Sequence, residues 1–593
     1  MSLTRREFVL GTAGTALAAR IPLRAAPAST RPLAEFDYDQ VRLTGGPLKA
    51  HYDRIHATYL ALDNDRLLKV YRQRAGLPAP GADMGGWYDA DGFVPGHTLG
   101  QYISGLARIG ATTGDTGCHA KAGALVEGFA AAFERSKSIY AGPNAEKIWP
   151  CYILDKHLAG LIDAGTLSHV ERAHDLLSRV YNAALPYIPE QGRDRIGKKD
   201  PPYDETYVLP ENLFTAAAMT GDGDLHERAI RYLLNKEFFD PLARGEDVLP
   251  GRHAYSHAIA LSSAGKAYLV LHDPKYLQAM QHAWTLLTET QQFATGGWGP
   301  NEQFIEPHKG QLYSSLLATQ DHFETPCGSY AATKLARYLL CATGDAHYGD
   351  GLERVLYNAL LAAKDPDSDG DYPYYSTYSA AARKVYYPKK WPCCSGTLVQ
   401  GVADYVKNIY FRADDGIRVN LYAPSIVRWQ HDGAAVTLTQ ETDYPLDSRV
   451  VLRMHLSAPV AFSLGLRLPS WLVAPATLRV NGAVAHAPQH EGWAMLHRVW
   501  RDGDTVQLDL PQDLHVEAID DQHPETVALL RGPLVYVELN PRAERLALIP
   551  LDRIQSMPGA RGLLAASTTG ENRVFAPLYF VQQESYTTYF QKS

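Results

Sequence analysis

The 593-residue sequence has few cysteines, with six in all, at positions 118, 151, 327, 341, 393 and 394. Cysteines this sparse do not make the dense disulfide framework of a small secreted domain. After the N-terminal segment there is no apolar run of about 18 residues, so no membrane span is expected. The formal net charge of −8 offers no excess of cations for nucleic acid or for an anionic membrane.

Several common catalytic signatures are also missing. The sequence has no phosphate-binding P-loop, no dinucleotide fingerprint and no Gly-x-Ser-x-Gly nucleophile elbow. His253 and His257 are four residues apart, but Ala254 stands where the His-Glu-x-x-His zinc signature has glutamate. We therefore interpret this histidine pair as hydrogen-bonding to sugar hydroxyls, with structural capping as the alternative.

The first residues carry a pattern typical of an export signal. Arg5 and Arg6 precede a weakly apolar, Gly/Ala-rich run at 11–19, and Ala25 and Ala26 offer a cleavage point. This pattern resembles a twin-arginine signal, which we assign to residues 1–28. We therefore expect an exported protein, periplasmic or secreted. Because this route carries folded proteins, a metal can be loaded before transit.

Residues 33–410 read as helices separated by short polar turns. Five turns are alike, with Gly or Pro ending one helix and Asp, Thr or Ser able to cap the next. They lie at 113–115, 164–166, 220–222, 272–274 and 343–345. A repeat of roughly 50 residues with two helices each predicts about six helical hairpins. Such hairpins close into a toroid or stack as an open solenoid, and longer loops rich in His, Glu, Tyr and Trp favour the toroid.

Residues 411–593 change to an alternation of apolar and polar residues. Runs such as 418–422, 450–454 and 505–510 read as short strands, with turn signals such as Asn481-Gly482 between strand-like runs. Short strands at this spacing predict one or two β-sandwiches. The expected fold class is therefore multidomain α+β, with a helical toroid followed by β-sandwich domains.

Two cysteine-containing stretches suggest a metal site. The adjacent Cys393 and Cys394 suit shared ligation of a soft metal better than a strained mutual disulfide. Cys327 follows Glu324, and three thiolates with one carboxylate form a four-ligand set of the kind that zinc prefers. The alternative is three buried thiols that act as small apolar residues. A zinc-bound thiolate would also be a nucleophile, since the metal keeps it deprotonated.

A glycine-rich loop at 295–304 contains a candidate catalytic acid, Glu302. Burial on a pocket loop can raise the pKa of such a carboxyl into the range needed for general acid catalysis. A solvated loop glutamate is the alternative. The 35 tyrosines and nine tryptophans suit a surface on which sugar rings stack, although tyrosines also fill ordinary cores.

Together these segments resemble the bacterial β-L-arabinofuranosidase lineage, glycoside hydrolase families 127 and 146 and their relatives. The specific parts are the cysteine motif at 393–397 and the Gly-Gly loop with Glu302. Further matching segments, which extend the resemblance over nearly the whole mature chain, are 96–104, 156–163, 419–425, 466–471, 500–504 and 531–536. The resemblance implies an (α/α)6 barrel at 33–410, one or two β-sandwich domains at 411–593, and a retaining hydrolase that uses zinc.

The resemblance also implies roles for individual residues. Cys393 would be the nucleophile and a zinc ligand, and Glu302 would be the acid/base. The other zinc ligands would be Glu324, Cys327 and Cys394. The residues implied to bind the sugar are His253, His157, Glu211 and Tyr375.

Two departures from the family pattern concern the metal and the substrate. Two residues separate Glu324 from Cys327 where the family has one, and Asp155 stands where relatives have a histidine. The expected function is a retaining, exo-acting glycoside hydrolase that removes a terminal β-L-arabinofuranose-like sugar from a plant-type oligosaccharide or polysaccharide. The alternatives are a polysaccharide lyase-type toroid enzyme with structural zinc, and a non-catalytic carbohydrate-binding protein.

Overall fold

A computed structural model describes most of the chain after the predicted export signal. The described residues are 32–195, 204–318, 323–542, 546–568 and 571–592, without the side chains of 318, 323, 324, 568 and 571. The export signal predicted at residues 1–28 lies outside them and stays a prediction.

Sixteen α-helices occur within the described ranges, and all of them precede residue 404. They are Gly46–Ala61, Asn64–Arg74, Leu99–Thr113, Thr116–Ser136, Pro143–Lys147, Pro150–Leu167, Glu171–Ala184, Pro210–Thr220, Gly223–Tyr232, Asp240–Ala243, Ala254–Leu271, Pro274–Leu286, Gln311–Ala318, Thr325–Thr343, His347–Val355 and Cys394–Ala403. None of these helices combines the length and the apolar character needed to cross a bilayer.

Six of the helices form the inner ring of a barrel, in which each packs against the next and the last packs against the first. They are Leu99–Thr113, Pro150–Leu167, Pro210–Thr220, Ala254–Leu271, Thr325–Thr343 and Cys394–Ala403. Outer helices lead from one inner helix to the next, so all six inner helices begin at the same end of the barrel. The predicted (α/α)6 barrel is confirmed.

Helix caps explain why the chain turns where it does. Gly114 ends one helix at φ 74°, and the Asp115 carboxylate accepts the N–H of Gly117 at the start of the next. Gly221 and Asp222 repeat this arrangement about two hairpins later, with Gly221 at φ 74°. A left-handed residue at the end of one helix followed by an acidic cap is the combination that the repeated turns predict.

One predicted turn is wrong. Residues 164–166 lie inside the helix Pro150–Leu167, and the chain turns only afterwards, where His169 has φ 54°. A glycine inside a helix costs only about 1 kcal/mol relative to alanine. The buried apolar residues of this inner helix outweigh that cost, so Gly165 does not end it.

Twenty-four strands occur in the described residues, and only β3 and β4 lie between the first and the last α-helix. They are β1 Ala34–Glu35, β2 Val41–Leu43, β3 Phe323–Glu324, β4 Tyr375–Ser376, β5 Tyr410–Ala413, β6 Gly416–Val419, β7 Ser425–His431, β8 Ala434–Thr442, β9 Arg449–Leu456, β10 Val460–Arg467, β11 Thr477–Val480, β12 Ala483–Val484, β13 Gln489–His490, β14 Trp493–Trp500, β15 Thr505–Asp509, β16 Leu514–Ala518, β17 Thr526–Arg531, β18 Leu534–Leu539, β19 Leu548–Ile549, β20 Ile554–Ser556, β21 Leu564–Thr568, β22 Glu571–Pro577, β23 Tyr586–Thr587 and β24 Tyr589–Lys592.

Three larger sheets account for the β-rich part. A six-stranded sheet has the order β1-β5-β6-β10-β14-β13, and a seven-stranded sheet has the order β12-β11-β15-β9-β8-β7-β2. These two sheets pack face to face, with Trp429 of β7 against Phe462 of β10 at 5.7 Å between ring centroids. A third sheet contains β16 to β24 and is built around the hairpin of β17 and β18.

The chain contributes to the sandwich before it enters the barrel. β1 pairs with β5, and β2 pairs with β7, so each sandwich sheet receives a strand from the first residues of the described chain. A buried ion cluster also joins the two parts. Arg467 of β10 is fully buried, and its guanidinium lies 2.5 Å from Asp350 Oδ1 and 2.6 Å from Glu353 Oε1 on the helix His347–Val355.

Candidate active site

The cysteine motif lies at the barrel end where the inner helices begin, and Trp391 fixes the chain just before it. Trp391 is fully buried with φ 53°, and its indole Nε1–H donates to the carbonyl oxygen of Met84 at 2.7 Å. Its backbone N–H donates to Gly370 O at 2.9 Å. Anchored in this way, the chain enters the helix Cys394–Ala403 with Cys393 at the N-cap position.

The remaining residues of the motif are fixed by neighbouring inner helices. A Cβ on Gly396 would lie 2.1 Å from Gln101 Oε1, so a larger residue here would displace the Gln101 side chain of the helix Leu99–Thr113. The Ser395 hydroxyl lies 2.7 Å from Tyr102 Oη, and the Thr397 hydroxyl lies 3.0 Å from Cys327 Sγ. The motif therefore both packs the barrel and places its two thiols.

Three cysteines converge at this rim, as the sequence predicts. Cys327, at the start of the helix Thr325–Thr343, has its Sγ 3.6 Å from Cys393 Sγ and 3.2 Å from Cys394 Sγ. All three sulfur atoms lie within 4.8 Å of one another, an arrangement that could hold a metal ion. Cys327 and Cys394 are fully buried, whereas Cys393 is partly exposed.

The spacing of the sulfurs fits a tetrahedral thiolate site. With bonds of about 2.3 Å, two thiolates on one tetrahedral zinc lie about 3.8 Å apart. The distance of 3.6 Å is close to this value, and that of 3.2 Å is somewhat shorter. The backbone of Glu324 pairs with Tyr375 in the ladder of β3 and β4. The Glu324 side chain lies outside what the structure describes, so its ligation stays a prediction.

The thiols differ in how readily they ionise. Burial and hydrogen bonds with Cys393 and Cys394 raise the pKa of the Cys327 thiol well above its usual range. Burial also opposes ionisation of Cys393, but hydrogen bonds with Cys327 and Cys394 outweigh it and place the pKa of the Cys393 thiol well below its usual range. The partly exposed sulfur is thus the one that carries negative charge first.

The exposed side of Cys393 faces a cavity of about 400 Å³. Its volume lies within the range of small-molecule sites. Eight of its lining residues are tryptophan, tyrosine or phenylalanine. Residues that line it include Trp87, Phe93, Trp149, Tyr152, Arg195, Glu205, His253, Tyr255, Glu302, Tyr374, Tyr375, Tyr387 and Cys393. Of the predicted site residues, the cavity therefore brings together Cys393, Glu302, His253 and Tyr375.

Glu302 is held in the cavity by groups from two other segments. The Tyr375 hydroxyl donates to Glu302 Oε1 at 2.8 Å, and His253 Nε2 lies 3.5 Å from Glu302 Oε2. His253 is also the N-cap of the helix Ala254–Leu271, where its Nδ1 accepts the backbone N–H of Ser256 at 3.3 Å. The other ring nitrogen, Nε2, is the atom that faces Glu302.

These contacts reverse the expected effect of burial on Glu302. Burial raises its pKa, but the hydrogen bond and charge of His253 and the hydrogen bonds of Tyr374 and Tyr375 lower it to about 2. The pKa of Glu302 in the ligand-free protein is therefore low, although burial by itself would raise it. The carboxyl is an anion there, which suits a general base directly.

His157 and Glu211 were expected to contact sugar, but they do not line this cavity. His157 stacks on Phe129 with ring centroids 4.5 Å apart and lies 3.2 Å from Tyr71 Oη. The Glu211 carboxylate pairs with Lys334 and accepts the Tyr338 hydroxyl at 2.9 Å. Both side chains instead support the packing of the helices.

The acid at the position of the family histidine is also turned away from the cavity. Asp155 is buried, and its carboxylate oxygens lie 2.8 Å from Lys156 Nζ and 2.7 Å from Asn212 Nδ2. Lys156 Nζ lies 4.6 Å from the ring centroid of Tyr152, which lines the cavity. Asp155 therefore holds Lys156, which in turn contacts Tyr152 of the cavity wall.

The cavity wall also contains an ion pair that no sequence motif predicts. Arg195 Nη1 lies 2.7 Å from Glu205 Oε1, and its guanidinium lies 5.9 Å from the ring centroid of Trp149. Glu205 Oε1 in turn lies 3.6 Å from His253 Nδ1. Arg195 and Glu205 belong to no recognisable sequence motif. The high content of tyrosine and tryptophan is the sequence feature that indicates an aromatic cavity wall.

Comparison with known proteins identifies the lineage. The family model for the β-L-arabinofuranosidase GH127 catalytic domain matches residues 40–407, and the model for the GH127 middle domain matches residues 416–512. The first model alone spans more than half of the chain. The chain belongs to the GH127 β-L-arabinofuranosidase family.

GH127 relatives agree with this assignment. A curated non-reducing end β-L-arabinofuranosidase of Bifidobacterium longum is 25% identical over 347 residues, which are 54% of this chain and 50% of the relative. The match thus spans about half the length of that relative. A GH127 β-L-arabinofuranosidase from Geobacillus stearothermophilus T6 has the same fold, with a TM-score of 0.74, 19% identity and coverage of 93% of this chain and 100% of its own. A second GH127 β-arabinofuranosidase structure gives a TM-score of 0.75 at 16% identity, covering 95% and 98% of the two chains.

Proposed function

We propose that this GH127 protein is a retaining, exo-acting β-L-arabinofuranosidase that uses Cys393 as its nucleophile. The observation that carries the proposal is one cavity of about 400 Å³ lined by both Cys393 and Glu302. Family membership supports glycoside hydrolysis, and the aromatic residues of the cavity wall suit contact with a sugar. The glycan is expected to be of plant type, as the resemblance implies.

In the first half-reaction the Cys393 sulfur attacks the anomeric carbon, and the bond from that carbon to the leaving oxygen breaks. The leaving oxygen needs a proton, which Glu302 is placed to supply. Because Glu302 is an anion in the ligand-free protein, it must first receive that proton. Glu302 is partly exposed on the cavity wall, so solvent can supply that proton.

In the second half-reaction Glu302 removes a proton from water, and the oxygen replaces the sulfur at the anomeric carbon. Two displacements on the same carbon retain its configuration. The Tyr375 hydroxyl, 2.8 Å from Glu302 Oε1, keeps the carboxylate facing the reacting atoms in both steps.

We assign Cys327, Cys393 and Cys394 as ligands of a zinc ion, with Glu324 as the fourth ligand predicted from the sequence. When bound, zinc would hold the Cys393 sulfur in its deprotonated, nucleophilic form at neutral pH. The three sulfurs within 4.8 Å of one another support this assignment. We also propose export to the periplasm or medium, which cell fractionation and N-terminal sequencing of the mature protein would test.

The test is turnover of p-nitrophenyl β-L-arabinofuranoside by wild-type protein and by Cys393→Ala and Glu302→Gln. We expect each variant to lose activity by about 10³-fold or more, since each removes a group that makes or breaks bonds. Cys341→Ala is the matched control, because Cys341 is a buried cysteine of the barrel outside the cluster. Near wild-type turnover by Cys393→Ala would refute the cysteine mechanism. Proton NMR of the first-formed product should show the β-anomer.

A further inference from the structure

The loop that carries Glu302 has a strained backbone. Asn301 and Glu302 lie in the left-handed region with φ of 53° and 63°. Non-glycine residues held in sparsely populated regions cost of order 1–3 kcal/mol each and persist only where their surroundings hold them. Something outside the loop must therefore keep Glu302 in place.

The third sheet reaches this loop from outside the barrel. The hydroxyl of Tyr589, in β24, accepts the backbone N–H of Ala294 at 2.9 Å, and Tyr589 is fully buried. The Tyr589 ring lies 6.5 Å from the ring of Phe293, measured between centroids. Tyr589 thus fixes the chain where it enters the loop, and it does not line the cavity.

The same sheet also holds the segment that carries Tyr375. The buried Tyr586 donates its hydroxyl to the carbonyl oxygen of Thr377 at 2.7 Å. The Thr587 hydroxyl accepts the backbone N–H of Ala381 at 3.0 Å. These contacts lie two and six residues beyond Tyr375, the residue that bonds to Glu302.

The two loops are bonded to each other as well as to the sheet. The Thr295 and Tyr378 hydroxyls lie 2.8 Å apart, and the Tyr375 hydroxyl lies 2.8 Å from Glu302 Oε1. Movement of either loop would therefore lengthen the bond that orients the Glu302 carboxylate.

We propose that Tyr589 and Tyr586 of the third sheet are positioning residues for acid–base catalysis. Neither touches the cavity, and each acts through a backbone group of a loop that supplies Glu302 or Tyr375. The sheet is thereby part of the catalytic apparatus as well as a packed neighbour of the barrel. The inference rests on the proposed function only for the role of Glu302.

The activity test compares Tyr589→Phe with Tyr410→Phe, each of which removes one buried hydroxyl. The Tyr410 hydroxyl lies 2.8 Å from the Ser425 hydroxyl inside the other β-domain, so this control loses a similar bond far from the loops. A p-nitrophenyl leaving group needs little protonation, whereas a methyl or sugar leaving group needs it fully. For Tyr589→Phe we expect kcat/KM on the methyl arabinofuranoside to fall about tenfold. Acid–base catalysis as a whole contributes about 10²–10⁴-fold, and misplacing the acid should remove part of it. On the p-nitrophenyl substrate we expect a fall of less than about threefold.

Structural damage alone would lower kcat/KM by the same factor on both substrates, in Tyr589→Phe as in Tyr410→Phe. An unchanged ratio between the two substrates would overturn the proposal. If wild-type protein cleaves neither arabinofuranoside, the proposed function fails and hydrogen exchange decides this inference alone. Peptides at 293–304 should then exchange faster in Tyr589→Phe than in wild type and be unaffected in Tyr410→Phe. Equal exchange in Tyr589→Phe and wild type would refute the positioning role.

Discussion

His157 should make the protein sensitive to acid without contributing to substrate binding. Burial lowers the pKa of His157 to about 4, from an ordinary value of 6.5. In the unfolded chain the ring takes up a proton near pH 6.5, but in the folded protein it stays neutral down to about pH 4. The stability that depends on the neutral ring is therefore fully present above pH 6.5 and is lost as the pH falls towards 4.

The size of the effect follows from the 2.5-unit difference between the two pKa values. The full loss is about 3.4 kcal/mol, at 1.36 kcal/mol for each unit. At pH 5 the unfolded form is almost fully protonated and the folded form is about one-tenth protonated, so the loss there is about 2 kcal/mol. Gln at this position does not titrate and should remove this contribution.

The assay is urea unfolding followed by far-ultraviolet circular dichroism, at pH 7.5 and pH 5, for wild type and His157→Gln. We expect the variant to be less stable than wild type at pH 7.5, because the stacking on Phe129 is lost. Its further loss on going to pH 5 should be smaller than that of wild type by about 2 kcal/mol. His174→Gln, at an exposed position, is the control and should keep the wild-type pH dependence. Equal pH dependence of stability in wild type and His157→Gln would refute this reasoning. A large rise in the KM of His157→Gln for the arabinofuranoside would indicate that His157 does contact the sugar.

Two further predictions concern the metal and the join between the domains. Cys394→Ser should lower the zinc content from about one per chain to well below one, because a thiolate ligand is lost. Zinc would be measured by mass spectrometry on protein purified without added chelator. Full zinc content in this variant would exclude Cys394 as a ligand. Arg467→Met should destabilise the protein by about 3–5 kcal/mol, because the Glu353 carboxylate stays buried without its cation. Thermal unfolding should show that the double variant Arg467→Met/Glu353→Gln regains part of the lost stability. If it regains none, the unpaired Glu353 charge is not the cause of the loss.

The convergence of the three cysteines could be predicted because adjacent cysteines near a third cysteine suit ligation of a shared metal ion. Adjacent Cys393 and Cys394 are poorly suited to a mutual disulfide, and the helix caps that set the barrel repeat, such as Gly114 with Asp115, are local signals. The structure confirms the thiol cluster, and the helical hairpins close into the (α/α)6 barrel that the family resemblance implies.

The direction of side chains on the inner helices could not be predicted in this way. The helix Pro150–Leu167 is buried along its whole first half, from Pro150 to Leu158. A helix that is buried on all sides has no periodicity that distinguishes the cavity side from the packing side. His157 and Tyr152 therefore look equivalent in the sequence, although only Tyr152 lines the cavity. The Arg195–Glu205 pair was missed because its two members carry no motif.

The lowered pKa of Glu302 is a second feature that no local pattern reveals. It depends on His253 and Tyr375, which come from segments about 50 and 70 residues away in the chain. A rule based on burial alone gives the opposite sign, since burial by itself disfavours the charged form. Only the three-dimensional contacts decide which effect is larger.

The pairing of β2 with β7 has a consequence for how the protein forms during translation. Val41 lies opposite Val427, so nearly 400 residues must be made before the strand meets its partner. At about 5–20 residues per second, the ribosome needs roughly 20 to 80 seconds for that length. The whole helical barrel emerges in this interval, while β1 and β2 remain unpaired. Until then the two strands expose unpaired backbone groups, to which other chains can pair.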